Sequence, residues 1–407
     1  MGPTTQKSKW VVMAFAFCAT VINYLDRQTL SVLAPVLLVQ YHISAESYSR
    51  IVSAFMLAYT ISNGISGRVL DRLGSKAGYA ATIALWSAAE MLHALARGAM
   101  SLGIFRFLLG VGEAGNYPAG VKLIAEWFPM EERSLAAGIF NSGASIGAIL
   151  APPLLAWIAM VAGISASFLI VGLSGLLWLV LWLIVYRSPR RHLSEPPTSV
   201  ATRQLLRSKF LWQFTLSKVF SDPVWYFYTF WFPQYLRTDF HFSLRQIGAT
   251  SWIPFFTAAL GNVAGGLLFI PLRGICATAQ KTRRVSVIAF SLLMMSALCI
   301  PACISPAVSI ALVSLATFGY SGALANLLAL PTDVYRPEAV ASVWGFASVG
   351  SGSGGMLFAL VTGWIVEHYS FAPAFVLFGC LPAFAGILVW FLPTHSGIEP
   401  GQAAAVS

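Results

Sequence analysis

Charge is what this chain has least of: Asp, Glu, Lys and Arg make up only 10% of its 407 residues, against about a quarter in soluble globular proteins. With 57% hydrophobic residues and a mean hydropathy of +0.74, that scarcity excludes an ordinary soluble domain and points to a polytopic membrane protein. Cysteine is sparse as well. Of the five cysteines, Cys18, Cys299, Cys303 and Cys380 are scattered through apolar runs, so neither a disulfide framework nor a metal-ligand spacing is present, and packing roles are expected. The six histidines, His42, His93, His192, His241, His368 and His395, sit mostly near loops without ligand spacing. No phosphate-binding glycine loop with a following lysine is found, which argues against an ATP-driven pump. A membrane-embedded enzyme would need a nucleophile–base pair or a ligand set, and none stands out. No enzyme activity, metal or cofactor is therefore expected.

What is there is a succession of apolar stretches near 10–39, 49–70, 77–97, 101–123, 134–160, 163–186, 210–236, 246–271, 284–304, 306–330, 339–366 and 371–392. Each is long enough to cross a bilayer, which takes about 17–25 residues. The fold class expected is all-α, with twelve transmembrane helices. Arg187, Arg190, Arg191, Arg203, Arg207 and Lys209 interrupt the series at its middle, giving an N-terminal six-helix half (1–186), a cytoplasmic linker (187–209) and a C-terminal six-helix half (210–407). The formal charge of +10 is explained by topology better than by nucleic acid. Arg68, Arg72 and Lys76, the linker, and Arg273, Lys281, Arg283 and Arg284 fall on alternate segments between spans, which places both termini in the cytoplasm of a bacterial inner-membrane protein. Lys7 and Lys9 before the first span superficially resemble a secretory signal. The apolar region is too long and carries charges, so a retained helix is expected.

Those charges lie in Asn23-Tyr24-Leu25-Asp26-Arg27. A charge near a bilayer centre costs roughly 2.5–3.5 kcal/mol on insertion scales, so Asp26 and Arg27 need a partner, a cavity or a task. One reading is an ion pair locking helices together; the other is a binding and coupling site for a small anion. The fourth span carries Arg106 and Glu113, seven residues apart, hence on one helix face and about 10 Å apart along the axis. That face must look inward, where a partner in the first span would relieve it.

Between the second and third spans, Gly67-Arg68-Val69-Leu70-Asp71-Arg72-Leu73-Gly74-Ser75-Lys76 resembles the signature loop of the major facilitator superfamily, Gly-x-x-x-Asp-Arg-x-Gly-x-Arg/Lys. Gly67 and Gly74 allow close helix approach and a tight turn, and Asp71 with Arg72 suits a gate latch that forms in one conformation and releases in the other. The corresponding Gly265-Gly266 stretch in the second half lacks the acidic residue.

A narrower resemblance follows from residues 23–35, Gly112-Glu113-Ala114-Gly115-Asn116-Tyr117-Pro118, residues 140–153 and Trp231-Phe232-Pro233-Gln234-Tyr235-Leu236. Together they are similar to the anion:cation symporter group, and within it most similar to hexuronate transporters, which import glucuronate and galacturonate with protons. The sequence departs from that pattern at Met160–Ser165, which lacks a Gly-Trp-Arg, and at Gln234, where a lysine is common. The resemblance implies that Asp26 and Glu113 couple protons and that Arg27 anchors the substrate carboxylate. A substrate anion competing for Arg27 would then shift the proton equilibrium. Tyr24, Tyr59, Asn141, Ser142 and Ser145 in the first half, and Tyr226, Ser348 and Ser351 in the second, are further substrate-binding candidates, although helix–helix hydrogen bonding accounts for each alone. Lys218 and Asp222, four apart, read equally as an ion pair or a binding element. The glycine-rich run 345–355 reads as helix packing. The expected partners are an organic anion, protons and the lipid bilayer, with no nucleic acid, and the expected state is a monomer. The function implied is proton-coupled import of a hexuronate by alternating access. The alternatives are transport of another organic anion such as an aldonate, or a transporter-like nutrient sensor.

Overall fold

The computed structural model describes residues 3–129, 132–187, 205–276, 278–335 and 337–394, and these contain helices and no strands. Most of the linker, including Arg190, Arg191 and Arg203, lies outside the described residues, as do His192 and His395. The helices are α1 (Pro3–Gln40), α2 (Ala45–Leu92), α3 (Ala99–Glu113), α4 (Asn116–Trp127), α5 (Arg133–Ala162), α6 (Ile164–Val185), α7 (Lys209–Phe240), α8 (Leu244–Thr250), α9 (Ile253–Ile275), α10 (Ala279–Met294), α11 (Pro306–Ala329), α12 (Pro337–His368) and α13 (Phe371–Trp390). In chain order they supply twelve crossings: α2 provides two, α3 with α4 one, and α8 with α9 one. Eight of them are long and apolar enough by composition to cross a membrane. The others are the two arms of α2, α3 with α4, and α7; the second arm of α2, α3 and α7 carry Glu90, Arg106, Glu113, Lys218 and Asp222, while α1 is apolar enough in spite of Asp26 and Arg27.

The stretch expected as a loop between the second and third spans is almost entirely helical. Within α2 only Gly74 leaves helical geometry, at φ 76° and ψ 164°, a conformation that strongly favours glycine. One residue therefore makes the turn. Gly67 corrects the expectation of close approach, because a Cβ added there would meet nothing within 4 Å.

The chain folds into two compact units. The first comprises residues 1–192 with 229–252 and 359–367. Here α1 packs along α5, and α2 along α3 and α6. Gly147 brings α5 onto α1 so closely that a Cβ would lie 2.6 Å from the Val21 carbonyl oxygen and 2.8 Å from Tyr24 Cβ, and this seat fixes Tyr24. On α6, Ile170, Leu173, Leu177, Val180 and Ile184 are exposed, an apolar face fit for lipid.

The second unit comprises 193–228, 253–358 and 368–407. Its core gathers Phe210, Phe214, Val287, Phe290, Leu327, Val343 and Val389. The glycine-rich run packs as expected: Cβ atoms added at Gly350 and Gly354 would meet Thr215 and Val219 of α7.

Candidate functional site

Helical periodicity places Thr20, Asn23, Tyr24 and Arg27 on one stripe of α1, and that stripe forms a wall of a cavity of about 150 Å³ in the first unit. Tyr59 of α2, Asn116 and Tyr117 of α4, and Phe140, Asn141 and Ala144 of α5 complete it. Arg27 stands at the centre of the chemistry. Its Nε and Nη2 donate to Glu113 Oε2 at 2.9 and 2.8 Å. Its guanidinium lies 4.8 Å from the Tyr59 ring centroid, 5.0 Å from Tyr24 and 5.4 Å from Phe55, an aromatic cage that suits a weakly hydrated cation. The Arg27 side chain keeps 12% exposure, whereas that of Glu113 has none.

Polar groups around the cavity are themselves held. Tyr79 Oη donates to Asn116 Oδ1 at 2.7 Å, and Asn116 Nδ2 donates to Thr20 Oγ1 at 3.3 Å. These bonds fix the amide orientation and present Thr20 and Asn116 as a patterned surface able to read hydroxyl groups.

Asp26, next to Arg27 in sequence, turns away from the cavity. It is fully buried, and its charged neighbours are Glu90, Glu113 and Arg106. Arg106 Nη1 donates to the Arg27 carbonyl oxygen at 3.2 Å, so α3 grips α1 at the turn that carries both charges. The residue that orients the Arg27 side chain is thus Glu113.

The remaining candidates are placed variously. Ser142 is exposed and donates to Ile139 O at 2.7 Å within its own helix, while Ser145 is half-buried; neither lines the cavity. In the second unit, Tyr226 Oη and Ser351 Oγ share a hydrogen bond of 3.2 Å, and Ser348 is exposed and bonds Trp344 O within its helix. Lys218 and Asp222 form a buried ion pair of 2.8 Å, and Ser221 Oγ and Tyr320 Oη both donate to Asp222 Oδ1. Asn326 donates to the carbonyls of Gly265 and Gly322, which makes it a tie between α9 and α11. Among the described residues, no group of three or more His, Cys, Asp or Glu side chains is placed to hold a metal ion.

At the kink of α2, Asp71 Oδ1 pairs with Lys122 Nζ of α4 at 2.8 Å, and the same ammonium donates to Leu70 O at 2.9 Å. Ser75, just past Gly74, donates to the Glu126 carboxylate at 2.7 Å. Arg72 is exposed. Lys122, Glu126, Thr20 and Glu90 escape a motif-based reading, and Asn116 stands inside the 112–118 motif without being singled out by it. The signal for Glu90 was present all the same, since it is a single carboxylate inside the otherwise apolar stretch 77–97.

A family model described as Major Facilitator Superfamily matches residues 16–279 and 266–405. The Hexuronate transporter of Escherichia coli (strain K12) is 32% identical over 97% of this chain and 96% of its own length. The Hexuronate transporter of Bacillus subtilis (strain 168) is 32% identical over 94% of each chain. The Galacturonate transporter of Dickeya chrysanthemi is 34% identical over 64% of this chain and 81% of its own. Among solved structures, a bacterial homolog of the human lysosomal transporter Spinster superimposes with a TM-score of 0.73 at 17% identity, covering 96% of this chain and 95% of that one.

Proposed function

The chain belongs to the major facilitator superfamily, and from that premise we propose that it imports a sugar-acid anion, a hexuronate, together with protons across the bacterial inner membrane by alternating access. The observation that carries this reading is the Arg27 guanidinium on the cavity wall, held by the buried Glu113 carboxylate. A planar cation with bidentate reach matches a substrate carboxylate. The flanking rings of Tyr24 and Tyr59 suit the apolar faces of a sugar ring, and Asn116, Thr20 and Asn141 suit its hydroxyls. The names of the full-length relatives, two of them hexuronate transporters, support the same substrate class.

The coupling works by exchange of partners. A substrate carboxylate that takes Arg27 releases Glu113 from its counter-ion, and the freed carboxylate accepts a proton rather than remain a lone buried charge. Return of the empty carrier requires the reverse: the proton leaves and Glu113 recloses on Arg27. Asp71 and Lys122, at the kink of α2, serve as a latch that opens and closes with the cycle. The basic segments between spans support a cytoplasmic side for both termini.

The test is uptake into proteoliposomes of glucuronate, galacturonate, galactonate and gluconate, with and without an inward proton gradient. Gradient-stimulated accumulation of the uronates above the aldonates is expected. Equal uptake with and without the gradient would remove the proton from the reading, and preference for an aldonate would move the substrate class.

A further inference from the structure

Behind the cavity, on the side of α1 away from the sugar-sized space, lies a second set of buried ionisable groups. Asp26 of α1, Glu90 near the end of α2, His93 in the turn that follows, and Arg106 of α3 each have a relative exposure of 2% or less. Charge does not balance there. Arg27 and Glu113 neutralise one another through their direct ion pair, which leaves two carboxylates, Asp26 and Glu90, facing the single guanidinium of Arg106. The Thr29 hydroxyl lies beside Glu90 but donates to Leu25 O at 2.8 Å; otherwise neither oxygen of Asp26 nor of Glu90 has a hydrogen-bond partner among the described residues, and Arg106 Nε and Nη2 have none either. His93 does not supply the missing positive charge: its Nδ1 bonds Ala89 O at 2.8 Å, and a second proton would sit on Nε2, which is buried without a partner among the described residues.

An uncompensated charge in such a site is costly, and one proton shared by the two carboxyls restores neutrality. We propose that Glu90 is a proton-binding residue of the transport cycle: with Asp26 it forms a second proton site beside Glu113, outside the substrate cavity and out of reach of the sugar. The inference rests on the proton-coupled reading above and adds a site to it. Arg106 is the link between the two compartments. It donates to the Arg27 carbonyl oxygen and has Glu90, Glu113, Tyr48 and Asp26 as its charged or titratable neighbours. When a substrate anion takes Arg27, the freed Glu113 adds its charge to the carboxylates facing Arg106, and the one further proton that compensates it is shared between Glu113 and the Asp26–Glu90 pair, which already holds one. Reciprocally, a proton on this pair favours substrate at Arg27 by the same free energy.

The test compares wild type, Glu90→Gln, Glu90→Asp and Glu113→Gln in proteoliposomes, reading glucuronate accumulation under an inward proton gradient, glucuronate counterflow without one, and the pH profile of each. Glu90→Gln is expected to lose accumulation above equilibrium while counterflow persists. Glu90→Asp is expected to accumulate substrate with a displaced pH midpoint. Wild-type accumulation by Glu90→Gln would overturn the proposal. Where Glu90→Gln does not fold, the aspartate variant decides: a pH midpoint identical to wild type would assign Glu90 only a counter-ion role toward Arg106, which refutes the proton site. Loss of coupling in Glu113→Gln alone sinks this inference and leaves the broader reading standing. Absence of gradient-driven uptake in wild type sinks both.

Discussion

Arg27 gives two of its donors, Nε and Nη2, to one and the same oxygen of Glu113, at 2.9 and 2.8 Å, and leaves Glu113 Oε1 buried without a partner. The pair is therefore held but not saturated, and an incoming carboxylate offers Arg27 a two-oxygen partner that Glu113 does not. Arg27→Lys keeps the charge and loses the planar fork. With charge-assisted hydrogen bonds worth about 1.5–3 kcal/mol, the expected loss is on the order of tenfold or more in apparent affinity. Substrate-binding titrations on correctly inserted protein check this, and wild-type affinity in the lysine variant would remove Arg27 as the anion anchor.

Glu113→Gln retains the shape and hydrogen bonding of a protonated acid. Exchange of loaded carrier requires no loss of that proton, whereas net uptake does. The variant is expected to lose accumulation driven by a pH gradient and to keep counterflow of labelled substrate. Glu113→Ala instead strips Arg27 of its partner in a site where the side chain is only 12% exposed, and a drop of about 3–5 kcal/mol in stability is expected from breaking a buried pair one-sidedly. Thermal unfolding in detergent separates the two variants.

Much of this architecture is legible in the residues, and the illegible part has a physical cause. Hydropathy delimits most of the spans, because lipid imposes length and apolarity on each, and it is weakest where α2, α3 with α4 and α7 spend apolar positions on polar and charged residues. The seven-residue spacing of Arg106 and Glu113 forces one inward face, and their contacts with Arg27 of α1 answer it. What sequence cannot convey is the direction of neighbours one residue apart: Arg27 enters the cavity and Asp26 leaves it, a difference of about 100° on a helix that becomes meaningful only once α2, α3 and α5 surround α1. Non-local partners are hidden for the same reason. Nothing near Asp71 in the chain indicates Lys122, which packing of α4 against α2 brings to it. The signature stretch reads as a loop because its glycines and charges suggest one, yet the backbone stays helical up to Gly74 and needs a single residue to turn.

The latch offers a prediction in which stability and rate part company. Asp71 is 75% exposed, with Lys122 at 21%, and exposed pairs contribute about 0–1 kcal/mol. Asp71→Asn and Lys122→Gln are therefore expected to leave the melting temperature within a degree or two, about the size of that contribution, and to change transport rate more than substrate affinity. Since the two side chains touch, the double variant should change the rate by less than the product of the single effects. Independent, multiplicative effects would show that the pair does not act as a unit.

Two adjacent glycines on α9 provide the last test, and their expected outcomes have opposite signs. A Cβ at Gly265 would lie 2.4 Å from Gly322 O and 2.8 Å from Gly322 Cα on α11, both backbone atoms that cannot rotate aside, whereas a Cβ at Gly266 would meet nothing within 4 Å. The contact at Gly265 is reinforced by Asn326, which donates to its carbonyl at 2.9 Å. Gly265→Ala must push α9 off α11, and overpacking of this kind costs typically about 1–3 kcal/mol. Gly266→Ala adds only a methyl group facing open space and removes backbone freedom from the unfolded chain, a gain of about 0.5–1 kcal/mol in a helix interior. Melting temperatures of the two variants in the same detergent should fall on either side of wild type. If both move together, the close approach of α9 and α11 at Gly265 is not what holds those helices, and the packing assigned to the double glycine is wrong.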